Sequence, residues 1–190
     1  GAQPQRDWLK RVSPGQRRIL SLVKLKGASS VYNVPTAFEL AGPLDAKALE
    51  QGLAEVERRH EALRTVFVEN EGRHFQRVLP PRPATLQVVD LAAAVEALTP
   101  EARERAVLER VQDEVRRPFD LENGPVWRAL LARTGPDRHV LVLTMHHIAF
   151  DGRSKPIFLR ETGEAYASLR AGAAPAWPAL PAQYVDFARW

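Results

Sequence analysis

One stretch concentrates the side chains that do chemistry near neutral pH: Met145-His146-His147-Ile148-Ala149-Phe150-Asp151-Gly152-Arg153-Ser154. A neutral imidazole accepts a proton at physiological pH and can serve as a general base. Asp151 can orient a ring or pair with an arginine. Gly152 permits a backbone geometry or a close approach that a side chain would block, and it lies beside a helix start, where free N–H groups favour negative charge. Three chemistries fit these residue types: satisfied structural histidines, a metal pair, and a general base for acyl transfer. The metal pair is the poorest fit, because adjacent strand residues diverge and no third ligand stands at zinc-like spacing.

The elements that must position this stretch can be read from periodicity. His139 to Met145 is a nearly all-apolar strand, which suits a strand covered on both faces, and Val126 to Ala132 precedes it across a Gly135-Pro136-Asp137 turn. Alternation along the strand sends His146 and His147 opposite ways, one into packed structure and one into a cleft. Ser154 is placed as the cap of a helix running to about Leu169. Upstream, Ser13-Pro14 opens a helix that breaks at Gly27, and Val34 to Leu40 is a strand closed by Ala41-Gly42-Pro43. Leu49, Leu53, Val56, His60 and Leu63 form one apolar stripe of a helix capped by Asp45. Strands at Thr65–Val68 and His74–Leu79 form a hairpin, and Thr85–Val89 is a further short strand. Thr99-Pro100 starts another helix with Leu108, Val111 and Val115 inward. This alternation predicts an α/β sandwich, one sheet with helices against it. No glycine-rich phosphate loop follows any strand, which argues against nucleotide chemistry here.

The chain has 190 residues, 45% of them hydrophobic, and no cysteine. That length buries a core without disulfide help and suits one domain or one lobe of a larger one. The missing thiols exclude a disulfide framework, a Cys-ligated metal and a Cys nucleophile. Residues 1–12 read as a flexible lead-in or tag remnant. No apolar run reaches the roughly 18 residues of a membrane span, so a cytoplasmic protein without membrane contact is expected. The net charge is +4, with 22 Arg and five Lys interleaved with acids. No aromatic residues alternate with them, so a solvated surface is favoured over a nucleic-acid interface.

The stretch 145–154 matches HHxxxDG followed by Ser, and with several other segments it resembles the condensation domain of nonribosomal peptide synthetases, in the superfamily of chloramphenicol acetyltransferase. Arg59-His60-Glu61-Ala62-Leu63-Arg64-Thr65-Val66-Phe67 matches the family's RHExLRTxF motif at every fixed position. Ser13 to Ile19, Tyr32 to Pro35, Gly42 to Asp45, Pro118 to Leu121 with Gly124-Pro125, and Leu180 to Ala188 agree in order. The resemblance implies a chloramphenicol acetyltransferase-like two-layer sandwich, a mixed β-sheet packed against helices, with 13–190 forming the N-terminal lobe of a two-lobe domain. It implies peptide-bond formation between a donor acyl or peptidyl thioester and an acceptor aminoacyl thioester. His147 is then the catalytic residue and Gly152 the backbone N–H near the developing oxyanion. His146 is structural, and Asp151 is paired with Arg64.

No cofactor or metal is bound directly in this picture. Substrates arrive on the 4'-phosphopantetheine arms of upstream donor and downstream acceptor peptidyl carrier domains, with an adenylation domain adjacent. The C-terminal lobe would be absent, leaving the isolated lobe inactive. In such domains the catalytic histidine faces a tunnel between the two lobes, and Arg153 departs from the tryptophan or small apolar residue the family often carries, which bears on the shape of that tunnel. Two other readings stand beside this one: an acyltransferase of the same superfamily using coenzyme A, and a non-catalytic carrier-docking lobe. His60, on the apolar stripe, reads as a packed core histidine.

Overall fold

The strand that ends in the histidine pair runs through the middle of a four-stranded sheet and is buried continuously from Val140 to His146. A computed structural model describes residues 10–27, 30–82, 86–180 and 183. In chain order the elements are β1 (Lys10–Arg11), α1 (Pro14–Lys26), β2 (Asn33–Ala41), α2 (Ala46–Arg59), a 3-10 turn (Glu61–Arg64), β3 (Thr65–Asn70), β4 (Arg73–Val78), β5 (Leu86–Asp90), α3 (Ala92–Val95), α4 (Pro100–Arg116), β6 (Trp127–Gly135), β7 (Arg138–His146) and α5 (Ser154–Arg170).

Two sheets form where the sequence suggested one. The larger runs β2-β7-β6-β5, antiparallel except for the parallel pair β5–β6. The smaller, β1-β4-β3, is antiparallel. Alternation along β7 divides the core. Val140 and Val142, with Leu130, meet Val107, Val111 and Val115 of α4. Leu141, Leu143 and Met145 join Leu49, Leu53 and Val56 of α2 and Phe158 of α5. Leu53 and Val56 are fully buried, each contributing about 1.5–3 kcal/mol relative to exposure. The α/β architecture with sheets packed against helices is therefore the one expected, and β7 is covered on both faces.

Local signals explain most boundaries. Ser13 Oγ accepts from Gln16 N–H while Gln16 Oε1 accepts from Ser13 N–H, a reciprocal capping box. Asp45 caps α2 by accepting from Ala48 N–H.

Four expectations are corrected. Residues 10–12 are not a loose lead-in: β1 pairs with β4, Gln76 Nε2 donates to Arg11 O, and Val12 is buried. Residues 1–9 lie outside the described residues. Helix α2 ends at Arg59, since His60 is extended at φ −107° and the tighter 3-10 turn carries Leu63 inward instead. Leu108 is 52% exposed, because Val107, one position earlier, shares the inward face of α4 with Val111 and Val115. Ser154 is the first residue of α5 and does not cap it; the capping oxygen is Asp151 Oδ1.

The chain leaving α5 is strapped back over the α2–α5 pair. Arg59 stands over the Trp177 ring at 5.3 Å and donates to Pro178 O. Gln183 donates to Arg59 O and accepts from Glu61 N–H. Of the motif expected at Leu180 to Ala188, only Leu180 and Gln183 lie within the described residues.

Candidate active site

His146 is the last residue of β7, and the ladder carries on for one bond beyond it. His146 N–H donates to Val126 O and His147 N–H to Tyr32 O, both at 2.8 Å. The backbone under both histidines is thus held from the leads into β6 and β2. The two rings part as alternation requires: His146 is 2% exposed, and His147 stands in solvent.

His146 sits between Tyr32 and Phe119, each 6.0 Å away by ring centroid, with the Phe119 ring edge-on at 78°. Its Nδ1 accepts from Ile148 N–H at 3.0 Å. The neutral tautomer with the proton on Nε2 is therefore the one the fold holds. Burial, and secondarily the charge of His147, pushes the His146 pKa down to about 4. At neutral pH this ring is an uncharged brace that closes the turn carrying His147.

Apolar anchors fix the rest of the loop. Ile148 and Phe150 are buried in the α2–α5 side of the core, and Phe150 meets Phe158 edge-on at 6.0 Å. Asp151 then accepts from Arg153 N–H, Ser154 N–H and Ser154 Oγ at 2.9 to 3.0 Å. Desolvation works to raise the Asp151 pKa. The Ser154 and Arg153 hydrogen bonds and the Arg153 charge outweigh it and hold the carboxyl below its usual range. Asp151 thus acts at the N-terminus of α5, where a carboxylate also complements the helix dipole.

The expected Arg64–Asp151 pair is not formed. Arg64 Nη1 donates to Leu79 O at 2.8 Å and Nη2 to Arg58 O at 3.2 Å. The guanidinium fork ties the end of β4 to the end of α2, while Asp151 turns Oδ1 to its own helix. His146, His147, Asp151 and Gly152 share one loop; Arg64 belongs to another part of the frame.

Gly152 is exposed, and a Cβ there would meet nothing within 4 Å. Neither conformation nor packing within this chain requires glycine at 152. His60 is also not a packed core residue: its Nε2 lies 2.5 Å from Glu161 Oε2, and Glu161 also pairs with Arg59 Nε at 3.1 Å.

Three buried carboxylates escaped sequence reasoning. Besides Glu161, Glu57 accepts from Arg82 and from Trp127 Nε1. Glu114 pairs with Arg110, Arg117 and Arg128. Nothing in composition or spacing marks a glutamate as buried. The anchors Ile148 and Phe150 did carry a signal, an i, i+2 apolar pair flanking Ala149. Among the described residues, no three His, Asp or Glu side chains gather as a metal-holding group, and no helix is long and apolar enough to cross a membrane.

Comparison with known proteins places this geometry in a family. The condensation domain family matches residues 10–190. Chondramide synthase of Chondromyces crocatus is 41% identical over 179 residues, which are 94% of this chain and 4% of that protein. The dimodular nonribosomal peptide synthase of Bacillus subtilis (strain 168) is 39% identical over 181 residues, 94% of this chain and 7% of that protein. Among solved structures, the X-domain of teicoplanin biosynthesis in complex with OxyB superposes with a TM-score of 0.84 at 29% identity, covering 100% of this chain and 38% of that one. The first condensation domain of the CDA synthetase gives 0.82 at 22% identity, covering 96% of this chain and 45% of that one, a likeness of fold. The matched span includes both histidines, the loop they open and the frame beneath it, and the chain belongs to the condensation domain family.

Proposed function

We propose that this chain is the N-terminal lobe of a condensation domain in a nonribosomal peptide synthetase, and that His147 serves its amide-forming step. The observation that carries this is the paired histidine geometry. A buried, neutral His146 braces a turn that presents His147 to solvent at the end of a rigid strand. The solved condensation domain it resembles is more than twice as long as the matched portion, in keeping with a second lobe that closes over this face.

In the proposed reaction the amine of an acceptor aminoacyl thioester attacks the carbonyl of a donor thioester. The C–N bond forms, the C–S bond breaks, the amine proton passes to His147, and the departing thiolate recovers a proton. Both substrates arrive on 4'-phosphopantetheine arms of carrier domains, so effective concentration and alignment supply much of the rate. The open space at Gly152 lets a reacting carbonyl approach the backbone there. A half-tunnel neither excludes water nor aligns two thioesters, so the lobe alone is inactive in this reading.

The test is single-turnover amide formation in the full-length protein with donor- and acceptor-loaded carriers. His147→Ala is expected to lower the rate at least a hundredfold with the fold intact. Wild-type turnover by that variant would remove the assignment. Carrier binding unaffected by it, with no amide formed by either protein, would leave a docking lobe.

A further inference from the structure

We propose that Arg128 is a positioning residue for His147, acting through Phe119 and His146. The inference rests on the reading that His147 is the reacting histidine. Arg128 lies on β6 opposite Thr144 of β7, two residues before His146 in the same strand. Its side chain is 12% exposed and makes three kinds of contact at once. Nε stands 3.1 Å from Glu114 Oε1, a carboxylate that is itself buried. Nη2 donates to Glu114 O at 2.6 Å and to Arg117 O at 2.5 Å. The guanidinium carbon lies 4.2 Å above the centre of the Phe119 ring.

These contacts have one geometric effect. The last carbonyls of a helix lack their i+4 partners, and at the end of α4 Glu114 O receives only a long 3.4 Å bond from Arg117 N–H. Arg128 takes two carbonyls at that end, and Asn33 Nδ2 takes Val115 O at 2.7 Å and Arg117 O at 2.9 Å. The chain beyond Arg117 is thereby fixed as it turns through Pro118, and Phe119 lies between the guanidinium over its ring and the His146 ring, 6.0 Å away and inclined at 78°. His146, so confined, keeps Nδ1 on Ile148 N–H. That bond closes the turn on which His147 is carried. Arg128 therefore sets the floor under the catalytic turn without approaching the substrate. Lysine cannot replace it: it keeps the charge for Glu114 but has no planar fork to span two carbonyls and cover a ring.

Arg128→Lys in the full-length protein tests this with two readouts. Hydrogen exchange of the peptide covering 145–150 is expected to rise at least tenfold, with the α2 peptide unchanged. The single-turnover rate at saturating acceptor is expected to fall at least tenfold while the acceptor concentration at half-maximal rate stays within twofold. Wild-type exchange at 145–150 overturns the proposal, whatever the rate. Faster exchange with a wild-type rate also overturns it, since the turn would then be loosened without consequence. If Arg128→Lys fails to fold, Phe119→Leu, which keeps apolar bulk but removes the aromatic ring beside His146, carries the same two criteria. Wild-type rates in His147→Ala refute the role of His147 itself, which separates that failure from a wild-type exchange pattern in Arg128→Lys.

Discussion

Asp151 and Arg64 make separate contributions to stability, and a double-mutant cycle measures how separate. Asp151→Ala removes the acceptor of two backbone N–H groups and one hydroxyl at the start of α5. Loss of such a cap costs about 0.5–2 kcal/mol. Arg64→Ala removes a charged donor from the carbonyls of Leu79 and Arg58. At about 1–3 kcal/mol for each carbonyl left without a partner, and with both only partly shielded from water, roughly 2–3 kcal/mol is expected. In a chain of 190 residues, 1 kcal/mol moves the melting temperature by about 2–4 °C. The single variants should therefore melt about 1–8 °C and 4–12 °C below the parent.

Because the two side chains share no partner, the double variant should lose the sum to within about 0.5 kcal/mol. The assay is thermal and urea unfolding of the parent, both single variants and the double variant at pH 7. A coupling of 1.5 kcal/mol or more would show the two groups paired as the family resemblance implied, and would refute the capping account. The pH dependence has a definite sign. The Asp151 pKa is depressed in the fold, so its contribution is complete above the unfolded carboxylate pKa and disappears as pH falls through the lower folded value.

His146 predicts a second acid sensitivity. Its folded pKa of about 4 lies below the ordinary 6.5, so the unfolded chain binds the extra proton first and stability falls as pH drops from 6.5 toward 4. The full effect is roughly 3 kcal/mol below pH 4. Urea midpoints should fall across that window, and His146→Asn should flatten the fall; a parallel slope in the variant would assign it to other groups. Gly152→Ala should melt within about 0.5 kcal/mol of the parent, since its Cβ enters open space, yet slow amide formation at least tenfold; an unimpaired rate would show that no reacting group approaches there.

Local chemistry was legible where it depends on residues close in sequence. The Ser13 cap, the Asp45 cap and the opposed rings of His146 and His147 all follow from spacings of three or fewer residues. What was hidden depends on tertiary choice. Arg64 carries five donors on a long stem, and sequence cannot decide between a carboxylate 87 positions away and two carbonyls nearer by. The stripe Leu49-Leu53-Val56 was right, but its continuation into His60 ignored that α2 must stop to turn the chain into β3. Leu108 was placed inward with Val111 and Val115, whereas the rotation of α4 about its axis turns Val107 in and leaves Leu108 exposed. Glu57, Glu114 and Glu161 went unmarked because burial of a carboxylate follows from arginines brought to it by the fold.

The pairing of β2 with β7 sets Asn33 opposite His146, 113 residues further along. On a ribosome adding about 5–20 residues per second, that interval is on the order of ten seconds. Throughout it the β2 side chains Phe38 and Leu40 have no sheet to lie in, and the backbone that will hold His147 through Tyr32 O has nothing to hold. The N-terminal segment is thus made first and seated late. Vectorial synthesis gives this chain a long window in which shelter by a chaperone, or by its own α1 and α2, governs yield. The turn carrying His147 becomes ordered only once both ends of that span have met.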